Sequence, residues 1–161
     1  MRALNPEHIS RLIPLINQGP FFQLLNMQVT ELGWGASEVV MSLERKHLNP
    51  FGGVHGGAYT SVLDTAAYWS AYCQMPEDAG FITVDVNVSN LSALRGGRLT
   101  VKGKCIKTGR TMGLAEATAI DSDGRIIAHG TSKMLAIPGK QTINDVLNSL
   151  GGEPLPPKYL D

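Results

Sequence analysis

An α+β domain, with one long helix covered by an antiparallel sheet, is what this 161-residue sequence predicts. Three observations carry that prediction. An apolar stretch of helical length lies near 57–74, strand-like segments precede it, and further strand-like segments separated by glycine-rich turns follow it. A helix that is apolar on nearly all faces has to be wrapped by other structure. The length suits a single domain at roughly 150 residues per domain.

The elements follow in chain order. Residues 5–18 read as a helix, with Ile9, Leu12, Ile13 and Ile16 at helical spacing behind Asn5-Pro6, a cap and a first-turn proline. Pro14 predicts a kink or a short helix. Residues 20–25 (PFFQLL) read as another turn of helix. Segments 27–33 and 36–45 read as strands parted by Gly33 and Gly35; in the second, Val39, Met41 and Leu43 alternate with Glu38, Val40 and Ser42. Gly52, Gly53, Gly56 and Gly57 make a permissive loop. The helix over 57–74 would be about 27 Å long, and Asp64 is its one charged residue. Segments 81–92, 97–108, 111–121 and 125–137 are expected to form a four-stranded meander, its last hairpin turned by Asp121-Ser122-Asp123-Gly124. The tail is expected to hold a short helix near 142–149 and then a loosely held end containing Pro154, Pro156 and Pro157. The expected organisation is an N-terminal helical segment (1–26), the main domain (27–139) and a C-terminal tail (140–161).

Composition excludes several classes. Lys+Arg and Asp+Glu are both 14, so the basic excess of a nucleic-acid binder is missing. Charged residues are only 17%, which leaves little to hold copies of the chain apart and favours self-association. No apolar run reaches the ~18 residues of a membrane span. The opening MRALNPEHISRLIPLINQ lacks the unbroken apolar core of a signal peptide, so a cytoplasmic location is expected. In a reducing compartment Cys73 and Cys105 read as buried free thiols. Cys73, in an apolar helix with no basic neighbour, is a poor nucleophile. His8, His47, His55 and His129 are scattered and give no metal site. The Asp121–Gly124 turn is not a calcium loop, because its twelfth position is Ser132. GGVHGG at 52–57 lacks the order and the following Lys-Ser/Thr of a phosphate loop.

The chemistry converges on the long helix. An unpaired carboxylate in a dry core is costly, so Asp64 is either satisfied structurally or faces a cleft. Gly56 and Gly57 open the same helix, where free N–H groups and the helix dipole can receive a developing negative oxygen. A carboxylate with an oxyanion donor is the minimum set for hydrolysing an acyl group. Gly57 and Asp64 lie about 10 Å apart along the helix axis. One scissile carbonyl cannot touch both within one helix, so cooperation requires glycine and carboxylate from different subunits.

Asn49-(x5)-His55-Gly56-Gly57-(x6)-Asp64 resembles the signature of hotdog-fold acyl-CoA thioesterases, specifically the phenylacetic-acid-degradation (PaaI-like) group. The likeness continues through Val84-Asp85-Val86-Asn87-Val88, Gly96-Gly97, Gly109-Arg110 and residues 123–130, covering about 25–137. It implies a hotdog fold, a curved sheet around the helix, in units that pair edge to edge as homodimers and often again as dimers of dimers. It implies hydrolysis of an acyl-CoA to a free acid and CoA with no cofactor or metal. By the resemblance, Asp64 activates water or attacks the carbonyl, Gly56 polarises that carbonyl, Asn49 and His55 hold the loop, and Thr83 helps orient the water. Gly57, Phe51, Tyr68, Arg95, Lys107 and Arg110 are candidate substrate contacts, with Trp69 and Met112 as further pocket walls and Lys133 as another basic candidate. Many members carry Arg-Pro where this chain has Ser92-Ala93, and Arg95 is the replacement candidate for the CoA phosphates. The alternatives are a hotdog 3-hydroxyacyl thioester dehydratase or hydratase and a non-enzymatic acyl-CoA-binding protein. A carboxylate nine residues after the His of His-Gly-Gly favours hydrolysis over the first. The presence of Asp64 and the lack of a basic helix-turn-helix count against the second.

Overall fold

The structure, a computed structural model, describes residues 2–160. In chain order the elements are β1 (Ala3–Leu4), α1 (Pro6–Ile16), α2 (Pro20–Leu25), β2 (Met27–Gly33), β3 (Ala36–Leu43), a 3-10 turn (Arg45–His47), α3 (Gly56–Tyr72), β4 (Ala79–Asn90), β5 (Gly97–Thr108), β6 (Met112–Ile120), β7 (Ile126–Pro138), α4 (Ile143–Leu150) and β8 (Tyr159–Leu160). A six-stranded antiparallel sheet runs in the order β2-β3-β5-β6-β7-β4. The predicted α+β architecture, a sheet wrapped on one long helix, is what forms.

Small residues let the sheet close on α3. Ala115, Ala117, Ala119 and Ala128 are buried on the strands, as are Ala58, Ala66 and Ala67 on the helix. Val39, Met41, Leu99, Val101 and Met134 fill the space around them. The tightest approach is at Gly103, where an added Cβ would lie 2.2 Å from the Ala66 carbonyl oxygen. Ser37 Oγ donates to that same carbonyl at 2.6 Å, tying β3 to the middle of α3.

The expected four-stranded meander is corrected. Only β5, β6 and β7 form it; β4 pairs with β7 at the far edge. Both sides of β5 are already taken, one by β6 and the other by β3 in the register Ala36↔Lys104 to Leu43↔Gly97. Gly96-Gly97 therefore opens β5 instead of turning a hairpin from β4. A bulge in β4 between Thr83 and Asp85 interrupts its pairing with β7, and Val84 there is turned outward.

The tail is also corrected: its end is anchored. Lys158 is fully buried, and its Nζ donates to the carbonyls of Tyr72 and Met75 at the C-terminal end of α3. The Tyr72 carbonyl also accepts from Met75 N–H and the Met75 carbonyl from Tyr159 OH, and the negative end of the helix dipole suits a cation. The ammonium also lies 3.7 Å from the Tyr72 ring centroid. Lys158 N–H donates to Glu77 Oε1, and Tyr159–Leu160 pairs with β1. Helix α1 starts as predicted, with Asn5 as cap and Pro6 in the first turn, but Pro14 falls in its last turns and the helix runs on to Ile16. Its buried face is His8, Leu12, Leu15 and Ile16, with Ile9 and Ile13 only half-buried.

Candidate active site

The loop before α3 is pinned by its own polar groups. Asn49 Oδ1 accepts from the N–H of Phe51 at 2.9 Å and of Gly53 at 3.3 Å. Val54 N–H donates to Leu94 O, and His55 N–H to His47 O, both at 2.8 Å. His55 is the N-cap of α3: its Nδ1 accepts from Gly57 N–H at 2.8 Å. The cap thus occupies the Gly57 donor and leaves Gly56 N–H without an acceptor among the described residues. Asn90, at the end of β4, sits close beside this turn; a Cβ on Gly56 would come within 2.8 Å of its Nδ2.

Two turns further along α3, Asp64 is held by two hydroxyls from the sheet. Ser132 Oγ on β7 donates to Oδ1 at 2.7 Å, and Thr83 Oγ1 on β4 donates to the same oxygen at 3.1 Å. Oδ2 has no hydrogen-bond partner among the described residues, and it is not a sealed-off atom. Asp64 lines a cavity of about 460 Å³ together with Tyr68, Trp69 and Tyr72 of α3, Phe22 of α2 and residues of α4.

The other candidates divide. Tyr68 and Trp69 line the cavity, whereas Phe51 is 90% exposed and Met112 is also exposed, neither touching it. Arg95 is exposed beside Gly52, near the start of α3. Lys107 and Arg110 are exposed at the opposite end of β5 from Gly97, so the three basic candidates do not gather around one point of this chain. Lys133 pairs with Asp85 at 3.1 Å on the surface. Trp34 packs edge-on against Tyr159. Both cysteines are free, and burial pushes the Cys73 thiol up to about 12. No cluster of three metal-ligating side chains occurs among the described residues. The sequence reading missed Ser132. Its signal was a hydroxyl on the inner-face series Ala128, Gly130, Ser132, Met134, all buried.

The Thioesterase superfamily matches residues 51–128, a span that takes in Gly56, Asp64 and Thr83. A thioesterase family protein of Silicibacter pomeroyi superposes with a TM-score of 0.74 at 30% identity, covering 81% of this chain and 98% of that one. The chain belongs to the thioesterase superfamily. Its reaction class is the hydrolysis of a thioester. A thioesterase of Haemophilus influenzae shares the fold, with a TM-score of 0.77 at 17% identity over 88% of this chain and 98% of its own. Acyl-coenzyme A thioesterase 13 of Mus musculus is 22% identical over 128 residues, covering 77% of this chain and 91% of the mouse protein. In sequence, a putative esterase of Haemophilus influenzae is 24% identical over 88 residues and is spanned for 64% of its length. As in other hotdog thioesterases, the sheet of this superfamily member wraps a single central helix, and no helix among the described residues is long and apolar enough to cross a membrane.

Proposed function

We propose that this thioesterase hydrolyses an acyl-CoA to a free carboxylic acid and CoA, in the manner of the PaaI-like group. The observation that carries the reading is the asymmetric tethering of Asp64. Two hydroxyls hold Oδ1, Oδ2 is left without a partner among the described residues, and Asp64 lines a mostly apolar cavity. A carboxylate so placed takes a proton from water as it adds to the thioester carbon, or adds to that carbon itself. In the first route the C–O bond forms, charge collects on the carbonyl oxygen, and the C–S bond then breaks to release the CoA thiolate, which is protonated. The Gly56 N–H supplies the donor for the oxyanion. Asn49 and His55 act by shaping the loop, and Thr83 and Ser132 by aiming the carboxylate. Arg95, Lys107 and Arg110 are the candidates for the CoA phosphates.

Gly56 and Asp64 lie about 12 Å apart along one helix, so the amide serving one Asp64 comes from a second copy of the chain. The site is then shared in a homodimer, with a dimer of dimers as the larger assembly and the cytoplasm as its place of work. The open edge of β4, with Val84 turned outward, supports that pairing. The commitment of His55 Nδ1 to capping α3 disfavours the dehydratase alternative, which needs a free catalytic histidine.

Free-thiol release from a panel of acyl-CoAs tests the reaction, and subunit exchange between Gly56→Pro and Asp64→Asn tests the sharing. Each variant alone is inactive and the mixture regains part of the wild-type rate, because a mixed dimer rebuilds one whole site. No thiol from any acyl-CoA refutes the reaction; no recovery on exchange refutes the shared site.

A further inference from the structure

The cavity at Asp64 has a roof that the thioesterase match does not contain. Asp64, Thr65, Tyr68, Trp69 and Tyr72 form a single stripe along α3, one face of the helix. Opposite them stand Ile143, Val146 and Leu150 of α4, and Phe22 of α2 closes one side. The family match spans residues 51–128, so α2 and α4 both lie outside it in sequence.

The roof is fixed at both ends. Before α4, Gly139 N–H donates to Asp78 O at 2.8 Å, and Thr142 and Asp145 form a reciprocal capping box. After it, the chain runs to the buried Lys158 anchor under α3. The far end of the stripe has a stop: Tyr72 OH is tied to His8 Nε2 at 2.8 Å, and the Lys158 ammonium covers its ring. Along α3 the trench therefore runs from Asp64 to Tyr72, about 12 Å along the helix. An extended alkyl chain advances about 1.25 Å per carbon, given C–C bonds near 1.5 Å, so the trench takes about eight to ten carbons.

We propose that α4 gauges acyl length and that the preferred substrates carry unbranched apolar acyl groups of about eight to ten carbons. This rests on the acyl-CoA reading above and adds the substrate class and the residues that set it. Val146 is the position to change: it faces the stripe from the middle of α4, and its half-buried side chain can be enlarged without entering the main core.

The experiment measures kcat/KM by thiol release for straight-chain acyl-CoAs from two to sixteen carbons and for phenylacetyl-CoA, with wild type, Val146→Trp and Val146→Ala. Wild type peaks at about eight to ten carbons. In Val146→Trp the ratio of decanoyl to butyryl kcat/KM falls about tenfold or more, and in Val146→Ala, which leaves the Tyr72 stop in place, the peak stays at about eight to ten carbons. Leu150→Phe repeats the narrowing if the tryptophan variant does not fold. An active wild type that favours short or aryl groups overturns the length assignment. A decanoyl-to-butyryl ratio unchanged in folded Val146→Trp or Leu150→Phe overturns the role of α4. A wild type that releases no thiol from any acyl-CoA refutes the acyl-CoA reading itself, and the gauge with it.

Discussion

Replacing Gly56 by proline removes the one atom that the proposed oxyanion site depends on and leaves the rest of the helix start in place. The position tolerates the change. Gly56 is the first residue of α3, where proline is favoured because its missing N–H has no helical acceptor. His55 already holds φ −66° and ψ 135°, the extended conformation required before a proline. The Gly56 N–H makes no hydrogen bond among the described residues, so none is lost. The single steric conflict is with Asn90 Nδ2, 2.8 Å from the new Cβ, at the tip of an exposed side chain that can turn aside. Fold stability should therefore stay within about 1 kcal/mol of wild type. Activity should not: loss of one oxyanion donor costs about 10²–10³ in kcat, about 3–4 kcal/mol of transition-state stabilisation. Gly56→Ala is the paired control, since it adds the same Cβ and keeps the N–H. Thiol-release kinetics and thermal unfolding are measured on all three proteins. Gly56→Pro retaining more than about a tenth of the wild-type kcat, or Gly56→Ala falling as far as Gly56→Pro, refutes the assignment of this amide.

Two further perturbations separate chemistry from folding. Asp64→Asn keeps an acceptor for Ser132 and Thr83 but loses the base, so kcat drops at least about 10² while urea stability holds; Asp64→Ala adds about 1–3 kcal/mol of destabilisation by stranding the two hydroxyls. Equal activity of Asp64→Asn and wild type makes Asp64 a purely structural acid. Burial draws the Lys158 amine down from 10.5 to about 7. Below that value folded and unfolded chains both carry its proton; above it the unfolded chain alone keeps it, so stability rises with pH from about 7 toward 10.5, at up to about 1.4 kcal/mol per pH unit. Urea unfolding between pH 7 and 8.5 checks this, and Lys158→Met, which keeps the stem and removes the titration, flattens the rise. A slope unchanged in Lys158→Met assigns it to another group.

What the sequence discloses is what depends on local order. The start of α1 at Asn5-Pro6, the Asp121–Gly124 turn and the span of α3 follow from capping and turn chemistry within a few residues of themselves. The position of β4 does not, because β3 and β6 take both sides of β5 and the edge left for β4 is that of β7. The anchored tail escapes for the same reason. Lys158 is drawn to carbonyls more than 80 residues earlier in the chain, and a proline-rich end gives no local hint of that. In the site, Asp64 and the glycines before it are legible from spacing, whereas Ser132, 68 residues away, reaches Asp64 only through the sheet.

The same distinction bears on whether Asp64 is merely a satisfied buried acid. A carboxylate kept for structure alone has both oxygens hydrogen-bonded when it is buried, since an orphaned acceptor is costly. Here both donors go to Oδ1, from two different strands, and they fix the plane of the group without touching Oδ2. Neither donor is a cation, so neither neutralises the carboxylate by pairing. His47 Nε2 is the one sealed and unpartnered side-chain atom among the described residues, so Oδ2 avoids that penalty by being accessible. An acid oriented by two neutral hydroxyls and left half open beneath an apolar roof is suited to meeting a polar atom of a ligand. In the proposed reaction that free oxygen is the one that meets the water or the thioester carbonyl.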